Sequence, residues 1–248
     1  MKPRSSAGAI GIKKATSKEH LWEIIDALGD ERPMYVLERF VRGDVFHVDS
    51  IVHDNRVIFQ RASRYGRPPL DVSHGGDVFT SRILPPSTDD SRALMEMNTA
   101  VLAAMRLVRG SSHTEFIRGA EDGQLYFLET SARVGGAHIA EMVEAATGLN
   151  PWREWARVEL AGEDGHYVLP PTRDEYAGIL VSLARQERPD TAAFQDPEIV
   201  WRLEKTHHIG LIVRSPSPSR VEELLERYVA RVREEFHATA PPLDRPTD

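Results

Sequence analysis

Apolar side chains recur at helical spacing in five segments of the chain, and these segments are separated by shorter runs of alternating apolar and polar residues. The first helix is predicted between Thr16 and Gly29, because Thr16 and Glu19 form a capping-box pattern and Gly29 suits a helix end. Four further segments show the same period, at residues 87–109, 137–147, 151–162 and 219–236.

Alternating apolar and polar positions predict β-strands between these helices. They fall at residues 34–40, 45–52, 57–62, 78–84, 113–117, 124–130, 176–184, 198–204 and 208–213, and a short strand–loop–strand unit is predicted in residues 1–14. Residues 64–78 are rich in Gly and Pro, which predicts a loop. Because strands and helices mix without a regular βαβ alternation, the pattern indicates the α+β class.

The pattern of predicted elements changes after Gly162, where a second group of short strands begins. We therefore predict units at residues 1–42, 43–163 and 164–240, the last of them a small α+β subdomain. A Pro-rich tail at residues 241–248 is expected to be disordered. The chain opens with ligand-binding types of residue already at position 2, so we expect a further segment upstream of Met1.

Composition narrows the classes of function. The net charge of −7 argues against a nucleic-acid surface as the main binding surface. The chain contains no cysteine, which excludes disulfides, thiol nucleophiles and zinc–thiolate sites and fits a cytoplasmic protein. No apolar run reaches the length of about 18 residues that spans a membrane. A local basic pocket with a metal remains compatible with this charge balance.

Two carboxylates on neighbouring predicted strands form the strongest chemical pattern. Glu115 and Glu129 lie on the two arms of a predicted hairpin, where oxygen ligands suit Mg²⁺. Arg133 follows and offers a cation for a phosphoryl group, and Gly135-Gly136 permits close approach of backbone to a ligand. The alternative is a pair of solvated strand faces, and spacing alone does not decide between the two interpretations.

Two weaker patterns precede that hairpin. Lys2 stands beside a Ser/Gly loop at residues 5–11, which suits phosphate binding by backbone N–H groups and one charge. A flexible hairpin tip explains the same residues. The strand ending at Glu38 offers an acceptor for the amino group of adenine, although an ordinary strand with an exposed glutamate fits equally well.

Taken in order along residues 1–150, these patterns resemble the ATP-grasp superfamily. The order is a lysine with a glycine loop, a helix, an acidic hinge, a hairpin, a long helix, two carboxylate strands, and then Arg with Gly-Gly. Residues 43–49 (GDVFHVD), 113–116 (HTEF) and 129–136 (ETSARVGG) look most like the L-amino-acid ligase and carnosine-synthase-like branch, lacking its N-terminal subdomain. The resemblance implies two α+β subdomains that enclose ATP, with a small C-terminal α+β subdomain.

The resemblance also implies an activity. Enzymes of this branch are ADP-forming carboxylate–amine ligases that join a small acid, such as an amino acid, to an amine through an acyl phosphate. ATP and Mg²⁺ are the implied cofactors, with Mn²⁺ as the alternative metal. The implied partners are small carboxylate and amine substrates, with no nucleic acid and no membrane, and a homodimer is compatible with the branch. Two alternatives stay open: a Mg-ATP-binding module without catalysis, and another ATP-grasp chemistry such as a carboxylase.

Residue roles follow from the matched motifs. The implied ATP-binding residues are Lys2, Ser5, Ser6, Gly8, Gly11, Glu38, Arg39, Phe40, Val41 and Asp44. The implied metal ligands are Glu115, Glu129 and Ser131, and the implied catalytic residue is Arg133. Substrate contacts are expected from Arg64, Arg133, Gly135 and Gly136.

The chain departs from the motifs of the superfamily at two positions. Ser131 stands where asparagine is common as a metal ligand, so water-mediated ligation is an alternative there. Val45 stands where a ribose-contacting polar residue is common, and Asp44 is the expected substitute.

Two further groups of side chains have two interpretations each. Arg64 precedes a Pro/Gly-rich loop, as in a lid over a substrate, but an exposed basic loop fits as well. His47 and His113 each stand two residues from an acidic group (Asp49 and Glu115), and their spacing favours a supporting role over a zinc site.

Overall fold

The computed structural model describes residues 1–5, 8–162 and 165–240. Its strands form two antiparallel sheets. The first pairs β1 (Lys2–Pro3) with β2 (Tyr35–Val36), and the second has eight strands. The eight are β3 (Gly43–His53), β4 (Arg56–Tyr65), β5 (Phe79–Ile83), β6 (Gly110–Gly119), β7 (Leu125–Ser131), β8 (Tyr176–Leu183), β9 (Ile199–Arg202) and β10 (His208–Ser215). Their order across the sheet is β7-β6-β3-β4-β5-β8-β10-β9.

The helices are α1 (Lys18–Leu28), α2 (Pro69–Gly75), α3 (Asp89–Ala104), α4 (Ile139–Thr147), α5 (Pro151–Ala161) and α6 (Pro218–Glu235), with a 3₁₀ helix at Gly29–Met34. Of these, α3, α4, α5 and α6 pack against the two faces of the large sheet. Within the described ranges, none of these helices is long and apolar enough to cross a membrane.

Several predicted element boundaries are wrong. Helix α1 is capped by Ser17, whose hydroxyl accepts from the N–H of His20, rather than by Thr16. Strand β2 ends at Val36, and residues 37–40 continue as exposed coil, because they pair with no neighbouring strand. The predicted strand around residues 10–12 is absent from the described chain, and helix α2 forms within the predicted loop 64–78.

Alternation along the strands separates two apolar cores. One core, beneath α4 and α5, contains Tyr65 and Ile83 from the sheet and Met142 from α4. The opposite face packs against α3 and α6 through two other clusters, with Phe46 and Leu180 at their centres. Burying each such side chain contributes about 1.5–3 kcal/mol. We call the first face of the sheet the α4 face and the second the α3 face.

The large sheet crosses the predicted boundary near residue 163. Strand β8 follows that boundary in sequence, yet it pairs with β5, so Phe79 lies opposite Val181. Helix α4 packs against both β5 and β8. The third predicted unit therefore shares a sheet with the second, and the division at residues 42, 163 and 240 stays a prediction. The predicted disordered tail, 241–248, lies outside the described residues.

The N-terminal segment, residues 1–42, is the least buried part of the fold. It holds the two-stranded sheet, α1 and the 3₁₀ helix, and α1 packs mainly against that 3₁₀ helix. Several of its large apolar side chains are more than 45% exposed: Trp22, Met34, Leu37 and Phe40. This segment reaches the large sheet through few side chains, of which Lys2 is the most informative.

Candidate active site

Glu115 and Glu129 face each other across β6 and β7. They lie on the two arms of the hairpin that the sequence predicted, where they are register partners, and a bulge follows between Glu115 and Phe116. Their environments differ, because 13% of the Glu115 side chain is exposed against 47% for Glu129. Ser131, two residues beyond Glu129, is the register partner of His113 and so lies on the same face.

Lys2 connects this carboxylate pair to the N-terminal segment. Its ammonium donates to the carbonyl of Leu128 at 2.9 Å and forms ion pairs with Glu38 at 3.0 Å and Glu129 at 3.6 Å. The lysine side chain is 16% exposed. The structure therefore brings together one residue from each of the three sequence patterns: the loop lysine, the hinge glutamate and a hairpin carboxylate.

A buried polar network surrounds Glu115 on its other side. The Tyr65 hydroxyl donates to Oε1 of Glu115 at 2.7 Å, and Nε2 of His113 lies 3.4 Å from the same oxygen. Nδ1 of His113 bonds Oδ1 of Asp49 at 2.8 Å. Strand pairing produces this arrangement, since β3 places Asp49 opposite His113 in register.

The network continues across β3 to β5. Oδ2 of Asp49 bonds Nδ1 of His47 at 2.7 Å, and Nε2 of His47 bonds the Ser81 hydroxyl at 2.7 Å. His47, Asp49 and Ser81 are all at most 3% exposed. Buried polar groups cost free energy unless they are hydrogen-bonded, and here each ring nitrogen of His47 has a partner.

Burial and charge shift the pKa values within this network. Burial alone lowers the pKa of His113, but the charge and hydrogen bond of Asp49 outweigh it and raise that pKa to about 10. For Asp49, burial acts upward and the two histidines act more strongly downward, so its pKa lies well below the usual range. The Asp49–His113 pair is therefore ionised at neutral pH.

The two hairpin carboxylates are shifted in opposite directions. Burial acts to raise the pKa of Glu115, yet His113 and the Tyr65 hydroxyl lower it overall. Burial and the neighbouring charge of Glu115 raise the pKa of Glu129 above its ordinary value, against the effect of Lys2. Glu115 is thus stabilised as an anion by its neighbours. The anionic form of Glu129 would be stabilised by a further positive charge nearby.

Two groups of side chains in this region have the atoms of a possible metal site. The oxygens of Glu115 and Glu129, beside Ser131, fit the hard-oxygen preference of Mg²⁺. One ligand atom each from His47, Asp49 and His113 also lies within 4.8 Å of the others. In that second group, however, each oxygen of the Asp49 carboxylate is already hydrogen-bonded to one of the two imidazoles, so neither oxygen is available to a metal.

Arg133 and the two glycines follow β7 in the chain. The Arg133 guanidinium donates to the carbonyl of Val134 at 2.8 Å, and among the described residues it pairs with no carboxylate. A Cβ on Gly135 would lie 2.8 Å from Oδ1 of Asp49 and 2.9 Å from Nδ1 of His113, so only glycine fits there. Gly136 has open space instead.

Asp44 and Arg64 lie away from this group. They form an ion pair with each other at 2.8 Å, and the Arg64 guanidinium stands beside the Phe46 ring of the α3 face. Arg64 also lines a cavity of about 660 Å³ on that face. The predicted ribose and substrate roles of these two residues stay predictions, although neither side chain meets Glu115 or Glu129.

The other predicted ATP-binding residues lie around the N-terminal segment. The Arg39 guanidinium stands over the Tyr126 ring, and the Lys14 ammonium stands over the Phe40 ring. Val41 is half-buried, while Ser5 and Gly8 are exposed and Gly11 is half-buried. Gly8 and Gly11 have φ values of 66° and 71°, as expected in a glycine turn. Ser6 lies outside the described residues.

Sequence reasoning missed the contribution of Tyr65 and Ser81 to the site. Alternation along β4 places the Tyr65 ring on the α4 face, opposite to its neighbour Arg64. The two H-x-D/E patterns, His47 with Asp49 and His113 with Glu115, were the available signal. Each places two polar side chains on one face of a strand otherwise rich in apolar residues.

Comparison with known proteins gives one curated relative and many structural neighbours. No family model matches this chain. An L-arginine-specific L-amino acid ligase of Bacillus subtilis is 25% identical over 176 residues, covering 68% of this chain and 42% of that protein. The chain therefore spans less than half the length of that relative.

Two solved structures illustrate the structural match. The L-amino acid ligase of Bacillus licheniformis superposes with a TM-score of 0.68 at 16% identity, over 92% of this chain and 62% of that chain. The biotin carboxylase domain of Hydrogenobacter thermophilus 2-oxoglutarate carboxylase, in complex with MgADP, ADP and bicarbonate, superposes with a TM-score of 0.64 at 17% identity, over 96% and 56%. Both have the ATP-grasp fold. This chain therefore has the ATP-grasp fold, and the fold that its motifs implied is confirmed.

Proposed function

We propose that this chain is the Mg-ATP-binding part of a carboxylate–amine ligase that forms an amide or peptide bond through an acyl phosphate. The observation that carries the proposal is the meeting of Lys2 with Glu38 and Glu129, in register with Glu115. One cation, one hinge acceptor and two metal-binding carboxylates are the groups that an ATP molecule with a divalent metal requires.

Known proteins support the same proposal. The curated relative is a ligase specific for L-arginine, and one solved neighbour contains MgADP with bicarbonate. Another, the carboxyaminoimidazole ribonucleotide synthase of Aspergillus clavatus, was solved in complex with ATP. For this chain we propose ATP with Mg²⁺, or Mn²⁺ as the alternative, and small carboxylate and amine substrates.

Glu115 and Glu129 would hold the metal, with Ser131 beside them as a third oxygen donor or as the anchor of a bound water. A divalent cation bound there neutralises charge on the transferring phosphoryl group. Lys2 would leave its ion pair with Glu129 to contact a phosphate, since a lysine ammonium is a mobile point charge. Glu38 to Val41 would accept and donate hydrogen bonds at the adenine edge.

The residues of the chain support two successive displacements. An oxygen of the substrate carboxylate attacks the γ-phosphorus and ADP leaves; the amine nitrogen then attacks the acyl carbon and inorganic phosphate leaves, with the amine proton passing to solvent or phosphate. Arg133, which has no carboxylate partner among the described residues, would hold the acyl phosphate oxygens. The loop at residues 5–11 would close over the phosphates and exclude water.

Substrate contacts by Arg64, Gly135 and Gly136 also stay proposals. Gly135 lies beside Asp49 and His113, whereas a substrate contact by Arg64 would require a change of partner from Asp44. Assembly as a homodimer is a further prediction, compatible with the dimer named for the biotin carboxylase neighbour.

Calorimetric titration with ATP, with and without Mg²⁺, tests the proposal. We expect Mg²⁺-dependent binding that Glu129→Gln weakens at least about 10-fold, because a metal ligand is lost. The matched control is Glu121→Gln, an exposed glutamate in the turn of the same hairpin. No ATP binding by the wild-type chain, or equal binding by Glu129→Gln, overturns the assignment.

Ligation is tested separately by mass spectrometry of amide products and by ADP release with pools of amino acids. Arg133→Ala is expected to keep nucleotide binding and to lose product formation, because the arginine acts on the acyl phosphate. Product formation at the wild-type rate by Arg133→Ala would remove the arginine from the mechanism.

A further inference from the structure

We propose that Tyr65 and His113 are positioning residues that fix the Glu115 carboxylate for a divalent metal, and that Asp49 in turn fixes His113. This inference rests on the proposed function, in which Glu115 is a metal ligand. It adds a buried support that extends from β6 through β3 and β4 to β5, and it predicts which side chains set the affinity for the metal.

Within the described chain, the polar contacts of the Glu115 carboxylate are made by only one of its two oxygens. The Tyr65 hydroxyl at 2.7 Å and Nε2 of His113 at 3.4 Å both reach Oε1. Among the described residues, no group bonds Oε2 of Glu115. The Tyr65 hydroxyl also lies 3.3 Å from Nε2 of His113, so one hydrogen bond and one ion-pair contact act on the same oxygen of Glu115. They orient the carboxylate and leave its second oxygen available, as an oriented metal ligand requires.

Glu129 provides an internal contrast. Its carboxylate is the register partner of Glu115, yet its side chain is 47% exposed and its nearest charged contact, with Lys2, is 3.6 Å long. The Glu115 side chain is 13% exposed and accepts a 2.7 Å hydrogen bond from Tyr65. The more tightly held carboxylate is therefore Glu115, and the more adaptable one is Glu129.

His113 is itself held on every side. Its Nδ1 bonds Asp49 at 2.8 Å, and the second oxygen of Asp49 bonds His47. The backbone of Gly135 closes the remaining side, because even a Cβ there would come within 2.9 Å of Nδ1 of His113. A side chain fixed by packing and by hydrogen bonds at both ring nitrogens can orient its neighbour.

The same hydrogen bonds and packing argue against a second metal centre at His47, Asp49 and His113. A cation there would have to replace two hydrogen bonds of 2.7 Å and 2.8 Å to Asp49. Both Nε2 atoms are also occupied, by Ser81 for His47 and by Tyr65 with Glu115 for His113. The triad is therefore a support for Glu115, with its polar atoms satisfied internally.

The test compares Tyr65→Phe with Thr114→Val by calorimetry of ATP binding at increasing Mg²⁺ concentrations. Tyr65→Phe removes one hydroxyl and keeps the buried ring. Thr114 neighbours Glu115 on β6 but bonds Thr130 at 2.8 Å on the other face, so its substitution perturbs the same strand pair without touching the carboxylate. We expect Tyr65→Phe to raise the apparent Mg²⁺ dissociation constant about 10-fold, and Thr114→Val to leave it unchanged.

Two further readouts separate positioning from general damage. ATP affinity without metal and the urea midpoint of Tyr65→Phe should match those of Thr114→Val. An unchanged Mg²⁺ constant in Tyr65→Phe overturns the inference, whereas absent Mg²⁺-dependent binding in the wild-type chain overturns the proposed function instead. If Tyr65→Phe does not fold, His113→Gln is measured in its place, and an unchanged Mg²⁺ dissociation constant in that variant overturns the inference.

Discussion

The two sides of the candidate site are built in opposite ways. On the Glu115 side, Asp49, His47 and His113 are at most 8% exposed and are linked by hydrogen bonds within β3 and between β3 and β6. On the Lys2 side, the N-terminal segment exposes Trp22 and Leu37 by 55% each.

The difference shows how a single site can combine precision with movement. Buried, paired groups are costly to rearrange, so the network fixes Glu115 before any ligand arrives. Exposed segments with few apolar contacts open at low free energy. Under the proposed function, Lys2 would therefore move toward a bound phosphate while the Glu115 carboxylate stays in place.

The largest expected effect comes from breaking the buried network. Asp49→Asn leaves His113 as a buried cation without its anion, and we expect a loss of about 3–5 kcal/mol in the free energy of unfolding. Urea denaturation measures this loss. The matched control is Asp54→Asn in the exposed β3–β4 turn, which should change stability by less than about 0.5 kcal/mol. A loss below about 1 kcal/mol for Asp49→Asn would contradict a paired network.

The same variant carries a pH signature. The folded pKa of His113, about 10, lies above its ordinary value of 6.5, so its contribution to stability is fully present below about pH 6.5. That contribution is lost as the pH rises through about 10. The stability difference between wild type and Asp49→Asn should therefore shrink from pH 6.5 to pH 10.

A smaller effect is expected where the backbone meets the network. Gly135→Ala places a methyl group 2.8 Å from Asp49, and overpacking of this kind costs about 1–3 kcal/mol. Gly136→Ala is its neighbouring control, because its added Cβ meets open space and should cost less than about 0.5 kcal/mol. Equal denaturation midpoints for the two alanine variants would show that the backbone at Gly135 does not pack tightly against Asp49 and His113.

The smallest effect on stability is expected on the other side of the site. Lys2→Ala removes ion pairs to carboxylates that are nearly half exposed, which should cost less than about 1 kcal/mol. We nevertheless expect weaker ATP binding by calorimetry, whereas Lys13→Ala, an exposed lysine of the same segment, should bind ATP normally. A stability loss as large as that of Asp49→Asn would show that both sides of the site are equally rigid.

Local sequence patterns predicted several elements for identifiable reasons. Gly29, Gly148 and Gly162 end helices in the structure as they did in the sequence, because a positive φ at a helix end favours glycine. The hairpin that carries Glu115 and Glu129 was predicted because a short turn fixes the pairing of its arms.

Contacts between residues far apart in the chain were harder to predict from the sequence. The pairing of β5 with β8 joins residues about a hundred positions apart, and alternation within either strand does not name its partner. The predicted hinge strand 34–40 stopped at Val36, because apolar residues such as Leu37 form a strand only where a neighbouring strand accepts their hydrogen bonds.

The sequence by itself determined the order of the motifs, the glycine C-caps of α1, α4 and α5, and the hairpin of two carboxylates, since these depend on residues near one another in the chain. The tertiary structure alone decided that Tyr65 from β4 and Asp49 from β3 meet around Glu115 and His113. It also decided that Arg64, adjacent to Tyr65, faces away from them. The physical reason is that strand register fixes which face and which neighbour a side chain has, and register is set by the packing of the whole sheet.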